Sequence, residues 1–178
     1  MIEKEDTVLV VVDVQEKLAK SVYDSDRLID NIAILVKGAD ILGVPIIWTE
    51  QYPQGLGHTV QPLADLIKSP AIEKKCFSCC YAEDFIDVLE DLGRPNVLLA
   101  GIETHVCVYQ TAMDLLYEDC NVFVVADAVS SRTQENKAIG LERIVSECAE
   151  VTSVEMALFE LLKVAEGPQF KAILKLVK

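Results

Sequence analysis

The sequence predicts an α/β protein: a doubly wound, three-layer sandwich around a six-stranded, mostly parallel sheet. Three observations lead there. Short aliphatic runs such as Val8–Val12, Val97–Ala100 and Val122–Ala126 carry no polar interruption, as in parallel strands covered on both faces. Between them, apolar residues recur at spacings of three and four, the period of an amphipathic helix. The alternation continues to the end with no linker or low-complexity tract, so residues 1–178 are expected to form a single domain.

The elements follow in order. Val8–Val12 is the first strand. Leu28, Ile32, Leu35, Val36, Ala39 and Leu42 mark a helix that Ser25 can cap and that Gly43 and Pro45 end. Val44–Thr49 reads as the second strand and Glu50–His58, with Pro53, Gly55 and Gly57, as a loop. Ala71–Lys74 is a short strand; Phe85, Leu89 and Leu92 mark a helix closed by Gly93 and Pro95. After the strand Val97–Ala100, Val108, Ala112, Leu115 and Leu116 mark a helix, and Val122–Ala126 is the next strand. Ala138, Leu141, Val145 and Cys148 mark a further helix, and Val151–Ser153 is the sixth strand. Helical stretches over Val154–Leu162 and Phe170–Val177 complete the chain.

A length of 178 residues suffices for one full-sized core. The net charge of −13 leaves no basic face for phosphates, so no nucleic-acid partner is expected. No run approaches the ~20 apolar residues of a membrane span. Val8–Val12 is too short for a signal-peptide core and Asp13 follows at once, which leads us to expect a cytoplasmic protein without a membrane partner. Cys76, Cys79, Cys80, Cys107, Cys120 and Cys148 are then reduced thiols rather than a disulfide framework. Cys120 and Cys148 fall in apolar patterns and read as small core residues. Cys76-Phe77-Ser78-Cys79 matches a C-x-x-C spacing, but no second pair stands at zinc spacing, so no metal or cofactor is expected.

In a doubly wound sheet, chemistry collects where strands end. The residues there are Asp13, Glu50, Lys74, Cys107 and Asp127. Cys107 falls about one turn inside the helix after the strand ending at Gly101, where a helix terminus favours a thiolate and offers N–H groups to an oxyanion. Asp13 closes an aliphatic strand, as a cap or as a general base raised by desolvation. Lys74 or Lys75 could stabilise the thiolate, and the sequence alone does not choose between them. His105 stands two residues from Cys107 and so points to another side of a helix, which moves the base role towards Asp13. Dinucleotide, P-loop and serine-elbow motifs are missing.

Val11-Val12-Asp13-Val14-Gln15, Glu73-Lys74-Lys75-Cys76-Phe77-Ser78, Gly101–Val108 and Asp127-Ala128-Val129-Ser130-Ser131-Arg132 occur in an order and spacing that resemble the isochorismatase-like cysteine hydrolase family, over nearly all of the chain. The loop Thr49–Gly57 and the tail Pro168-Gln169-Phe170-Lys171 are similar to its isochorismatase-domain-containing subgroup. The resemblance implies a Rossmann-like fold and an Asp–Lys–Cys triad on Asp13, Lys74 and Cys107, with Lys74 rather than Lys75 aligned. It implies a cis peptide at Ile102–Glu103 and an oxyanion hole from the Glu103 and Cys107 N–H groups. The activity implied is hydrolysis of a small amide or related C–N compound through a thioester, with Asp13 taking the thiol proton and Lys74 favouring the thiolate. Gln51, Tyr52, His58, Tyr81, Tyr109 and Arg132 are the candidates to line the substrate pocket.

Two departures narrow the expectation. Nicotinamidases of this family carry an Asp/His metal site after the second strand, where this chain offers only Glu50 and His58. Isochorismatases proper cleave a vinyl ether without a catalytic cysteine, which Cys107 argues against. Homo-oligomers, dimers or larger, are common in the family, and Phe170, Ile173, Leu174 and Val177 make an apolar stripe suited to an interface. A non-catalytic scaffold and a thiol redox sensor, using Cys107 or the Cys76–Cys80 cluster, are the competing readings.

Overall fold

In the first aliphatic run Val8, Val10 and Val12 face one side of the sheet, Leu9 and Val11 the other, and the two sets end in different cores. This is the period-two geometry of a strand with both faces covered. The computed structural model, which describes residues 1–178, has six strands: β1 (Thr7–Val12), β2 (Ile46–Gln51), β3 (Ile72–Lys74), β4 (Asn96–Ile102), β5 (Asn121–Ser130) and β6 (Glu150–Thr152). All neighbours are parallel, in the order β3-β2-β1-β4-β5-β6. The winding reverses between β1 and β4, and the crevice at such a reversal is where an open α/β sheet binds ligands.

Helices α2 (Ser25–Leu42), α8 (Val154–Leu162) and α9 (Gly167–Val177) cover one face, and α5 (Glu83–Leu92), α6 (Tyr109–Tyr117) and α7 (Gln134–Ser146) the other. Burying each Val, Leu or Ile of these faces contributes roughly 1.5–3 kcal/mol, so the two cores hold the strand ends in place. Short helices α1 (Glu16–Ala19), α3 (Pro53–Leu56) and α4 (Gln61–Ala64) lie in the connections.

Several local expectations need correction. The second strand starts at Ile46 and runs two residues beyond Thr49, because Thr49, Glu50 and Gln51 pair with β3. Helix α2 is preceded by Asp24 in the left-handed region, with no side-chain cap. Cys148 is exposed and Cys120 only partly buried, so neither is a core residue of the expected kind. Much of the apolar stripe of α9 packs within the chain, with Ile173 buried and Phe170 and Val177 against the α2–α8 core, while Leu174 stays partly exposed.

Candidate active site

β4 comes unusually close to the end of β1, and Gly101 is the reason. Its φ of +116° suits glycine, and a Cβ there would run into the backbone carbonyl and amide of Val12. Beside this contact the pairing of β4 with β5 jumps from Leu99–Val124 to Gly101–Val129. The chain leaves β1 at Asp13, whose φ of +52° turns it out of the strand direction into a fully buried position. Asp13 Oδ1 accepts the Thr49 hydroxyl at 2.8 Å and Oδ2 accepts Lys74 Nζ at 2.6 Å.

Lys74 reaches Asp13 from two strands away, through the register that sets Gln51 beside Lys74. Its ammonium is surrounded by acceptors: besides Asp13, the Gln51 side-chain oxygen at 2.8 Å and the carbonyls of Cys76 and Phe77 at 3.1 Å each. Three N–H bonds are thus all committed. Burial pushes the Asp13 carboxyl up from its ordinary value, against the opposing charge and hydrogen bond of Lys74. Burial alone would push Lys74 down, but the Asp13 carboxylate together with the Cys79 and Cys107 sulfurs outweighs it and holds the ammonium above its usual range.

The peptide Ile102–Glu103 is cis, and the chain then makes a π-helical turn, Thr104–Val108, before α6 begins. Val106 and Val108 both donate backbone bonds to the Glu103 carbonyl, at 3.0 and 3.2 Å. The Glu103 N–H itself donates to no protein acceptor. Gly140 of α7 lets that helix pack directly on this turn, since a Cβ there would lie 2.9–3.0 Å from the backbone of Thr104 and His105. Cys107 therefore sits inside a wide turn ahead of the helix rather than one turn into it, and is 6 % exposed.

The thiol is not held as a thiolate. Burial pushes Cys107 up to about 12, the Asp13 charge adds to this, and Lys74 opposes it. Lys74 thus acts on the thiol in the direction expected of it but is outweighed by burial and the Asp13 charge, its hydrogen bonds going to Asp13, Gln51 and two carbonyls. Cys79, fully buried, behaves alike and is pushed up by burial to about 11.

The other candidates are distributed unevenly. Gln51 holds Lys74, and Tyr52 and Tyr81 line a depression of about 560 Å³ that also includes Lys74 and Cys76. Arg132 Nε donates to Glu103 Oε1 at 2.8 Å, beside the cysteine turn. His58 turns instead to Glu50, 2.9 Å away, and Tyr109 accepts a bond from Arg143 at 2.7 Å. Burial would push Glu50 up, but the Thr59 N–H and hydroxyl together with His58 hold it below the usual carboxylate range. Glu50 and His58 form a pair, and no group of three or more His, Cys, Asp or Glu side chains gathers about a common point. Asp127 accepts from the first N–H of α8 at 2.9 Å and so serves as a cap.

Sequence reasoning missed three residues. Thr49 grips Asp13; it ends a strand as visibly as Glu50 does, so the strand-end rule was there to find it. Gln15, fully buried, bonds the backbone of Gln51 and Gly57 and fixes the loop after β2. Cys79 lies 3.8 Å from the Thr49 hydroxyl, and no local signal marks that contact.

The Isochorismatase domain profile matches residues 7–156. Isochorismatase domain-containing protein 2A of Mus musculus is 39% identical over 175 residues, covering 98% of this chain and 84% of that one. The solved structure of a protein described as MAR1 ribonuclease from Caenorhabditis elegans superposes with a TM-score of 0.93 at 38% identity, over 99% of this chain and 91% of that one. YcaC from Pseudomonas aeruginosa, solved with hexane-2,5-diol and covalent acrylamide, superposes with a TM-score of 0.92 at 25% identity, over 98% and 90% of the two chains. With most of its length matched by the domain profile and near-complete relatives close to 40% identity, the chain belongs to the isochorismatase family.

Proposed function

We propose that this member of a family of hydrolases cleaves the C–N bond of a small amide, with Cys107 as nucleophile, Asp13 as general base and Lys74 as the partner that keeps Asp13 ionised. The observation that carries this reading is the buried 2.6 Å Lys74–Asp13 pair beside a thiol on the turn after β4, at the reversal of winding. A titrating base, a nucleophile and an unpartnered backbone N–H stand within one site, the combination acyl transfer requires.

A standing thiolate does not enter this mechanism. At pH 7, a thiol pushed up to about 12 would cost about 7 kcal/mol to ionise, five pH units at ~1.4 kcal/mol each. The proton therefore passes to Asp13 as the Cys107 sulfur bonds the carbonyl carbon and the carbonyl electron pair moves onto oxygen. The N–H groups of Glu103 and Cys107 hold that oxyanion. On collapse the C–N bond breaks and the leaving amine takes the proton from Asp13. Water then adds to the thioester, again giving a proton to Asp13, and the acid leaves as the thiol is restored.

Tyr52 and Tyr81, beside Lys74 in the depression, are the walls of the substrate's approach on this reading, while the polar ends of His58 and Tyr109 are engaged by Glu50 and Arg143. The covalent acrylamide on the relative from Pseudomonas aeruginosa supports a small amide as the kind of molecule accommodated. A redox sensor is disfavoured because Cys107, Cys79 and Cys80 are all pushed up by burial, to between about 11 and about 12, away from the reactive thiolate. RNA cleavage, named for the relative from Caenorhabditis elegans, is disfavoured by the charge of −13 and the absence of an uncommitted cation on Lys74. Self-association, which the family resemblance implies, has Tyr81 and Tyr117 available, 75% and 86% exposed.

The test is ammonia or amine release from a panel of small amides, with an RNA substrate alongside. Cys107→Ala is expected to abolish release while leaving the circular dichroism spectrum unchanged. Full turnover of a genuine amide substrate by that variant overturns the covalent mechanism.

A further inference from the structure

On the hydrolase reading above, we infer that the substrate carries no carboxylate or phosphate near the scissile bond: the site rejects anions. The argument is an inventory of charges around Cys107. Lys74 spends its N–H bonds on Asp13, Gln51 and the Cys76 and Phe77 carbonyls, so none is left to grip a substrate anion. Arg132 is the other cation near the cysteine turn, and Glu103 cancels its charge at 2.8 Å. The Arg132 terminal nitrogens have no protein partner, so they offer hydrogen bonds to a neutral carbonyl without net attraction for an anion. His105, in the same turn, shares Nδ1 with the Ser131 hydroxyl at 3.0 Å.

The negative charges prevail on balance. Asp13, although paired with Lys74, raises the Cys107 thiol more than Lys74 lowers it. The depression around Lys74 is rimmed by Glu73, Glu83 and Asp84 against the single rim cation Lys75. An anionic substrate would cross this rim past three carboxylates and one exposed lysine, Lys75, and the cations nearer the cysteine, Lys74 and Arg132, are already paired. A neutral amide meets hydrogen-bond donors and no repulsion.

Alkylation of Cys107 by iodoacetamide and iodoacetate isolates this term, because the reagents share the attacked carbon and differ in charge. The Cys107 peptide is followed by mass spectrometry at pH 8.5 in 0.5 M salt, which screens the long-range field of the chain. Rates are referred to 2-mercaptoethanol. The iodoacetamide-to-iodoacetate ratio at Cys107 is expected to exceed the reference ratio at least tenfold, and to fall in Glu103→Gln, where Arg132 is left uncompensated. A ratio no larger than that of 2-mercaptoethanol, an unchanged ratio in Glu103→Gln, or RNA turnover that requires Cys107 overturns the inference. Alkylation needs only a reachable sulfur. Charge selectivity without amide turnover therefore counts against the hydrolase reading alone, and turnover without charge selectivity against the inference alone.

Discussion

Replacing Lys74 by Met tests the buried pair most directly. Methionine fills much of the volume of the lysine stem but leaves Asp13, fully buried, with only the Thr49 hydroxyl. Removing one partner of a buried pair costs about 3–5 kcal/mol, because the other charge stays desolvated. Against a total stability of ~5–15 kcal/mol this is a large fraction. With a urea slope of about 2 kcal/mol/M, the unfolding midpoint is expected to fall by roughly 1.5–2.5 M at pH 8. The pH dependence has a definite sign. Burial already raises Asp13 above its ordinary value, and loss of Lys74 raises it further. The folded variant then binds a proton that the unfolded chain releases, so its stability is fully present below the unfolded pKa and is lost as pH rises through the folded one. Urea titrations between pH 5 and 8 should show Lys74→Met losing stability with rising pH relative to Asp13→Asn/Lys74→Met, in which no charge is buried. The double variant should recover most of the loss at pH 8. If it is no more stable there than Lys74→Met alone, the two residues are not energetically paired and the reasoning fails.

Two further outcomes follow from the same geometry. Gly101→Ala should destabilise the protein by about 2–6 kcal/mol, combining about 1–3 for a left-handed backbone with about 1–3 for pushing Val12 aside; a urea midpoint within 0.3 M of wild type would contradict the close approach of β4 and β1. Cys107 alkylation by iodoacetamide should accelerate close to tenfold per pH unit from pH 7 to 10, as expected of a thiol pushed up by burial to about 12, and a plateau below pH 8.5 would show a thiolate that the site stabilises.

The parts legible in the sequence are those set by short-range pattern. A strand covered on both faces must be aliphatic throughout, so Val8–Val12 and Val97–Ala100 announce themselves, and the strand-end rule then points to Asp13 and to the segment holding Cys107. Position on a strand also separates the two lysines, though only once the register is known: Lys74 ends β3 opposite Gln51 and is buried, while Lys75, one residue on, is exposed. Contacts made across the fold leave no such trace. Gln15 bonding Gln51 and Gly57, and Cys79 beside Thr49, join segments more than 29 residues apart. The state of Cys107 was misread for the same reason. A helix terminus is visible in the sequence, but the burial that raises the thiol exists only once the chain has folded.

That misreading bears on how the proposed chemistry is gated. A thiol raised by burial to about 12 reacts slowly with passing electrophiles near neutral pH and is on that count a poor nucleophile. The base beside it changes the balance only when an oxyanion can form. Asp13 is raised by burial, which makes it a better proton acceptor than a solvated carboxylate, and Lys74 opposes that rise and so favours the ionised form that can accept. Without a substrate, proton transfer leaves a buried thiolate that Lys74 compensates only in part, whereas in the proposed step transfer concerted with C–S bond formation puts the new charge on an oxygen facing the Glu103 N–H, which has no other acceptor. On the proposed mechanism the lysine therefore serves the base more than the nucleophile, and the sulfur is activated by the carbonyl that arrives to receive it.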